Sequence, residues 1–256
     1  MNSTNSSVLF SIDGAIARVV LNRPEKRNAL NDELIAGLKT ALYQAGQNDQ
    51  VRVVVLSGTG TDFCSGADLS ALQKISGASV ADNVEDARSL LELFLLIRSL
   101  PVPVIAAVHG RALAGGCGLA TACDLVLASD SARFGYPEVN IGFVPAMVTA
   151  ILRRNVSEKI AFELLTQGLQ VDAQQAKSIG LINEVFKDEG FVEAVETFAK
   201  RYERTSKSAV SLTKSLLYQI DGLAFREAIG TGVDVNVIAR MTEDCQKGIA
   251  RFLKKT

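Results

Sequence analysis

Between Pro101 and Asp124 the chain reads PVPVIAAVHGRALAGGCGLATACD, and few folds accommodate such a run. Val102, Val104, Ile105 and Val108 are apolar and mostly β-branched, as in a strand, and Pro101 and Pro103 stand at its entry, where a missing N–H does little harm. Gly110 interrupts the pattern. Gly115, Gly116 and Gly118 then lead into small residues, Leu119 to Cys123, that suit a closely packed helix. A strand, a tight glycine turn and a helix start together leave several backbone N–H groups without internal partners. They sit at the positive end of the helix dipole, where a developing negative charge is stabilised. The same glycines would equally let a helix pack tightly on a sheet. A nucleotide-phosphate loop is excluded, because neither GxxxxGK(S/T) nor a strand-following GxGxxG occurs here.

The remaining composition narrows the function classes. With 256 residues, 48% hydrophobic and 21% charged, the chain has the make-up of a soluble globular protein with a substantial core. A formal charge of −1 provides no general attraction to nucleic acid or to an anionic membrane. The opening MNSTNSSVLFSIDG has neither a basic n-region nor a long apolar h-region. The long apolar window from Val102 to Ala128 is interrupted by His109, Arg111 and Asp124, so it reads as buried core and no membrane span. Cys64, Cys117, Cys123 and Cys245 show no CxxC spacing, and Cys117 and Cys123 read as small buried hydrophobes. A single histidine, His109, rules out a His-rich metal site, and its place between strand and glycine turn suits a hydrogen-bonded turn residue. The expectation is a cytoplasmic protein without metal or free cofactor.

In chain order, residues 1 to 7 read as frayed, and two apolar runs around Asp13-Gly14 read as a hairpin. NRPEKRNALN is a polar loop whose Asn31 caps a helix from about Asp32 to Gly46. VRVVVL (51–56) is a buried strand followed by SGTGTDFCSGADL. Residues 75 to 86 read as loop, and a helix runs on from there to Leu100. After the glycine stretch come short strands near 125–128 and 132–135, a turn-rich YPEVNIGFVPAM, helices at 147–154, 158–166 and 173–178, and an apolar run 181–186. The rest reads as helix, with apolar stripes that one subunit does not fully cover. The fold class is α/β, with repeated β-β-α or β-α units over residues 1–195 and a helical region over 196–256.

Two glycine-bearing turns each follow a buried strand. If those strands are neighbours, the N–H groups of Ala67 and Gly115 converge on one oxygen, and such donors are worth roughly 2.7–4 kcal/mol each toward an oxyanion. At this point the chain resembles the crotonase family, the enoyl-CoA hydratases and isomerases. The matching motifs are LNRPEKRNALN (21–31), DFCSGADL (62–69), AAVHGRALAGGCGLATACDLVLAS (106–129), FGYPEVNIGFVP (134–145) and AKSIGLINEVF (176–186), with DCQKGIARFLKK (244–255) a looser match.

The resemblance implies a crotonase-like spiral of β-β-α units, a C-terminal helical oligomerisation region, and a homotrimer or dimer of trimers. It implies an acyl-CoA substrate whose carbonyl oxygen lies between the N–H groups of Ala67 and Gly115. Its nucleotide portion would follow Lys26, Arg27 and Ala29 and the loop Ser65, Gly66, Asp68 and Leu69, with Gly116 beside the hole. Phe252 and Lys255 match an aromatic and a basic residue that a neighbouring subunit often contributes. Coenzyme A would be part of the substrate, and no other cofactor or metal is implied. Tyr136 would line the acyl pocket or pack in the core. Asp68 and Asp124, by residue type and position, also suit structural turn roles.

The acid and base decide the reaction. Hydratases of this family carry two glutamates, one at the position of Gly118 and one at that of Glu138. Adding water is easiest with one carboxylate holding the water and another supplying the proton. Moving a double bond needs one base that takes a proton from C2 and returns it at C4. With Glu138 present and Gly118 unable to carry a proton, isomerisation is the expectation. Hydration with a water in place of the missing glutamate, other chemistry through the same enolate, and a silent acyl-CoA-binding subunit are the alternatives. A Ser-His hydrolase at Ser65 lacks GxSxG.

Overall fold

The computed structural model describes residues 6–254, and for Leu69, Leu72 and Ile75 the backbone only. Strands β1 (Val8–Asp13) and β2 (Ile16–Leu21) form the hairpin, with Gly14 at φ +56° in its turn. Helix α1 (Asp32–Gln47) begins where the Asn31 side chain accepts the Leu34 N–H, and it buries Leu34, Ile35, Leu38, Ala41, Leu42 and Ala45. Strand β3 (Val53–Gly58) follows.

The stretch read as loop is different in the structure. It belongs to α2 (Leu69–Gly77) and α3 (Val80–Ser99), separated only by Ala78 and Ser79. The reason is a capping box: Ser79 accepts from the Asp82 N–H and the Asp82 carboxylate accepts from the Ser79 N–H. Ser76, Asp82 and Glu85 are exposed on these helices instead of breaking them.

Next come β4 (Val104–Val108), β5 (Arg111–Leu113), α4 (Gly115–Ala122), β6 (Leu125–Ser129), β7 (Arg133–Gly135) and a 3-10 turn, Pro137–Ile141. Helix α4 starts at Gly115, so the glycines are part of it and not only its approach. Helices α5 (Ala146–Asn155) and α6 (Glu158–Gln167), strand β8 (Gln170–Asp172), α7 (Ala173–Ser178) and β9 (Glu184–Phe186) complete the repeating part. The C-terminal helices are α8 (Phe191–Ala199), α9 (Lys207–Gln219), α10 (Phe225–Met241) and α11 (Glu243–Leu253).

The larger sheet runs β1-β2-β3-β4-β6-β9, parallel from β2 onward. Both of its faces are covered, which is why VVVL and VIAAV are unbroken apolar runs. Val54, Leu56, Val104, Ala106 and Val108 face the main core with α1, α3 and α4. Val53, Val55, Ile105 and Ala107 face the other way, onto Phe191, Val195 and Ala199 of α8.

A second layer explains the spiral. β5 pairs in parallel with β7, Cys64 bridges Ala112, and Ala67 bridges Leu30, all in parallel. Each turn of chain therefore places one segment in the large sheet, one in the second layer, and then a helix. Gly110 makes the corner between β4 and β5 at φ +57°, where a Cβ would meet the Thr61 carbonyl oxygen. Among the described residues no helix is long and apolar enough to cross a membrane.

Candidate active site

Residues that follow a second-layer segment in successive turns end up side by side. Ala67 and Gly115 hold that position in adjacent turns, tied by Leu113 N–H to Cys64 C=O at 3.0 Å and Cys64 N–H to Arg111 C=O at 3.0 Å. The groups flanking Ala67 are spent on Leu30: its N–H reaches Gly66 C=O at 2.7 Å, and its C=O receives the Asp68 N–H at 3.0 Å. Backbone polar groups alternate edges along such a segment, so the N–H of Ala67 faces the turn that bears Gly115. Gly115 heads α4, where the helix leaves its first N–H groups unpaired. Within the described residues neither N–H donates a hydrogen bond. Both residues line one cavity of about 540 Å³.

Close approach of the two turns demands unusual backbone. Gly66 has φ +97°, and a Cβ there would lie 2.8 Å from that of Ala114. Ala114 itself sits at φ 51°, ψ −127°, a region costly for any residue with a Cβ, held by its N–H bonding Gly135 C=O at 2.8 Å. Three side chains not singled out from the sequence hold the loops. Asp62 receives the Arg111 guanidinium at 2.7 and 2.9 Å and the Arg111 N–H at 3.0 Å, and Arg111 keeps its carboxyl below the usual range. Buried Asn28, at φ 54°, donates to Thr59 C=O and Asp62 C=O at 2.8 Å each and accepts the Arg23 N–H. Each lies in a motif already quoted, but its partners are distant in sequence.

Glu138 lines the same cavity from the turn Pro137–Ile141, which runs on to Pro145 and α5. It is half-buried, and its Oε2 is buried with no hydrogen-bond partner in the protein. Burial raises its carboxyl above the usual range, opposed by a hydrogen bond from its own backbone N–H. A proton-accepting group that shares a mostly apolar cavity with two unpaired N–H donors can move a proton beside a carbonyl whose oxygen is held.

Of the other residues singled out, Ser65 lines the cavity. Lys26 and Arg27 are exposed and Ala29 is buried, and none of the three is among the lining residues. Their loop nevertheless abuts the cavity, since Ser65 N–H bonds Arg27 C=O at 3.0 Å. Asp68 is occupied by Ser70 and by Arg23, the latter at 2.7 Å; these two hold its carboxyl low, and the structural reading fits it. Gly116 turns away from the cavity: a Cβ there would meet the Cys64 carbonyl oxygen at 2.4 Å. Tyr136 is fully buried and leaves the cavity wall to others; its hydroxyl lies 3.3 Å from that of Thr121 on α4. Phe252 is on α11, away from the cavity lining, and Lys255 lies outside the described residues. Leu69 is the first residue of α2. His109 bonds the Gly60 carbonyl at 3.1 Å, and Cys117 is buried, its thiol pushed up to about 12 by burial.

The remaining walls come from α3, through Asn83, Asp86, Ala87 and Leu90, and from Phe143, Val144, Met147 and Val148. Gly118, one turn past Gly115 on α4, has no room for a side chain. A Cβ there would lie 2.3 Å from Val148 Cγ1 and 3.3 Å from the Phe94 ring.

The two-layer β-β-α spiral brings unpaired backbone amides and a part-buried glutamate to one cavity, an arrangement found in an α/β class of enzymes. The enoyl-CoA hydratase/isomerase family model matches residues 11–256, and the chain belongs to that family. It is 33% identical to 2,3-dehydroadipyl-CoA hydratase of Escherichia coli, over 98% of this chain and 96% of the relative. It is 34% identical to the mitochondrial enoyl-CoA hydratase domain-containing protein 3 of Danio rerio, over 98% and 86%. The crystal structure of an enoyl-CoA hydratase from Mycobacterium smegmatis superposes with a TM-score of 0.93 at 31% identity, over 98% of this chain and 97% of that one. Fold class and family therefore stand as the sequence motifs implied.

Proposed function

We propose that this protein shifts a carbon–carbon double bond in an acyl-CoA thioester. The N–H groups of Ala67 and Gly115 hold the thioester oxygen, so that charge leaving C2 rests there as an enolate. Glu138 takes the proton from C2 of a 3-enoyl thioester. The electron pair moves the double bond to C2–C3, and the same carboxyl returns the proton at C4. No bond is made to water, and the charge is carried by the two amides without a further cofactor. The supporting observation is the setting of Glu138: its Oε2 is buried without a hydrogen-bond partner, and it lines the same cavity as Ala67 and Gly115, whose N–H groups are unpaired. Coenzyme A would leave the cavity along the loops of Lys26–Ala29 and Ser65–Asp68. The exposed stripe of Phe225, Ile229, Val233 and Val237 on α10 supports self-association into trimers.

Hydration is the second reading, favoured by what the relatives are called. An ultraviolet assay with 3-enoyl- and 2-enoyl-CoA separates the two. The expected result is conversion of the 3-enoyl to the conjugated thioester, abolished in Glu138→Gln. Faster loss of the 2-enoyl chromophore, or a Glu138→Gln variant as active as wild type, would overturn the proposal. Tight thioester binding with no turnover would instead make the protein a silent acyl-CoA binder.

A further inference from the structure

Val148 belongs to two surroundings at once. It lines the acyl cavity, and its Cγ1 occupies the space that any side chain on Gly118 would need. On a helix, residues three apart share a face, and Cβ bonds tilt toward the N-terminus. A side chain at 118 would therefore point along α4 toward Gly115 and the cavity. Glycine and valine fill that place jointly, one by having no side chain and the other by a branched one that is 4% exposed.

The chemical consequence concerns water. A bound water needs about two to four polar partners. At this wall it meets the Val148 methyls, with Met147 and Leu90 also in the lining and Phe94 packed behind Gly118. We infer that Val148 is a specificity-determining residue, which keeps water from the substrate carbons and confines the enzyme to moving protons within the acyl chain. The inference rests on the isomerase reading, and it adds a cause: the missing side chain at 118 is enforced by packing from α5.

Hydration breaks a water O–H bond, forms C3–O and delivers the proton to C2. Isomerisation breaks C2–H, forms C4–H and leaves oxygen out. The two are told apart by label. In wild type, deuterium placed at C2 of a 3-enoyl-CoA should be recovered at C4, and little ¹⁸O from labelled water should be added to C3 of 2-enoyl-CoA as 3-hydroxyacyl-CoA. Val148→Ala opens the wall, and Val148→Thr keeps its shape while offering a hydroxyl to water. Either change should lower recovery of the label several-fold and raise the ratio of 3-hydroxyacyl-CoA to isomerised product at least tenfold. The threonine variant is nearly isosteric, so it tests the idea even if the alanine variant folds poorly. If wild type isomerises but both folded variants show unchanged label recovery and product ratio, Val148 has no such role and the isomerase reading survives. If wild type already incorporates ¹⁸O faster than it isomerises, or turns over neither thioester, that reading fails and this inference fails with it.

Discussion

Asp124 and Glu138 both lie close to α4, and their surroundings could hardly differ more. Asp124 follows the C-terminal end of α4 and is fully engaged. Its carboxylate receives Lys214 Nζ at 2.6 Å, the Tyr218 hydroxyl at 2.8 Å and the Val104 N–H at 2.7 Å. Lys214 spends its other protons on the carbonyls of Ile97 and Val102, so the cluster ties α9 to the end of α3 and the entry of β4. Glu138 has a buried oxygen with no partner at all. A fully satisfied buried carboxylate holds structure together, whereas an orphaned one costs stability and persists where chemistry needs it. The Cys-Asp and Pro-Glu dipeptides alone do not separate the two cases.

The largest test of that contrast is Glu138→Gln. General-base catalysis is worth about 10²–10⁴-fold, so turnover of 3-enoyl-CoA should fall by that factor while thioester binding persists. Comparable binding constants by calorimetry with collapsed turnover would place the loss in proton transfer. A fall in binding alone would put Glu138 on the structural side with Asp124.

The reverse test is Lys214→Met, which leaves Asp124 buried without its cation. Removing one partner of a buried pair costs about 3–5 kcal/mol, so denaturant unfolding should shift strongly toward lower concentration. Activity per folded molecule should change little, because none of the Asp124 partners lines the cavity that holds Glu138. Loss of activity without loss of stability would contradict the division.

A smaller effect at Glu138 is read by pH. In the unfolded chain Glu138 ionises near its ordinary 4.5, and burial raises it in the folded protein. Below that ordinary value both states are protonated and there is no penalty. As pH rises through it toward the raised folded value, the unfolded state ionises first and the folded state loses relative stability. Glu138→Gln should therefore unfold with wild type near pH 4 and at a higher temperature at neutral pH, read by calorimetry across the range. A variant less stable than wild type at neutral pH would show the carboxylate is held by something stabilising.

The smallest expected change is at Ala114, whose positive φ costs about 1–3 kcal/mol. Ala114→Gly relieves that strain but adds about 0.4–1 kcal/mol of freedom to the unfolded chain. A modest net gain in stability is expected, measurable by urea titration. A net loss would mean the Ala114 methyl packs against Gly66 more favourably than the backbone is strained.

Much of the fold was legible from particular residues. The hairpin at Asp13-Gly14, the Asn31 cap, and the apolar runs of β3 and β4 were readable because each depends on neighbours a few positions away. The three-residue strands β5 and β8 were not, since they pair only once other turns are in place. The S-x-x-D capping box at Ser79 was a local signal, but polar composition from 75 to 86 masked it. At the candidate site, Ala67, Gly115, Ser65 and Glu138, all singled out from the sequence, line one cavity. The α3 side chains and Val148 were missed because nothing local marks a helix face as a cavity wall.

Local order and motif sequence thus determined the family and the repeating unit and singled out the candidate site residues, because these follow from backbone preferences and side-chain chemistry. Tertiary structure alone decided which carboxylate is satisfied and which is left free, and that the space over Gly118 belongs to a valine from α5. Those outcomes depend on who arrives from elsewhere in the chain. Burial, unpaired polar atoms and steric occupancy are properties of the assembled interior, and no stretch of sequence possesses them by itself.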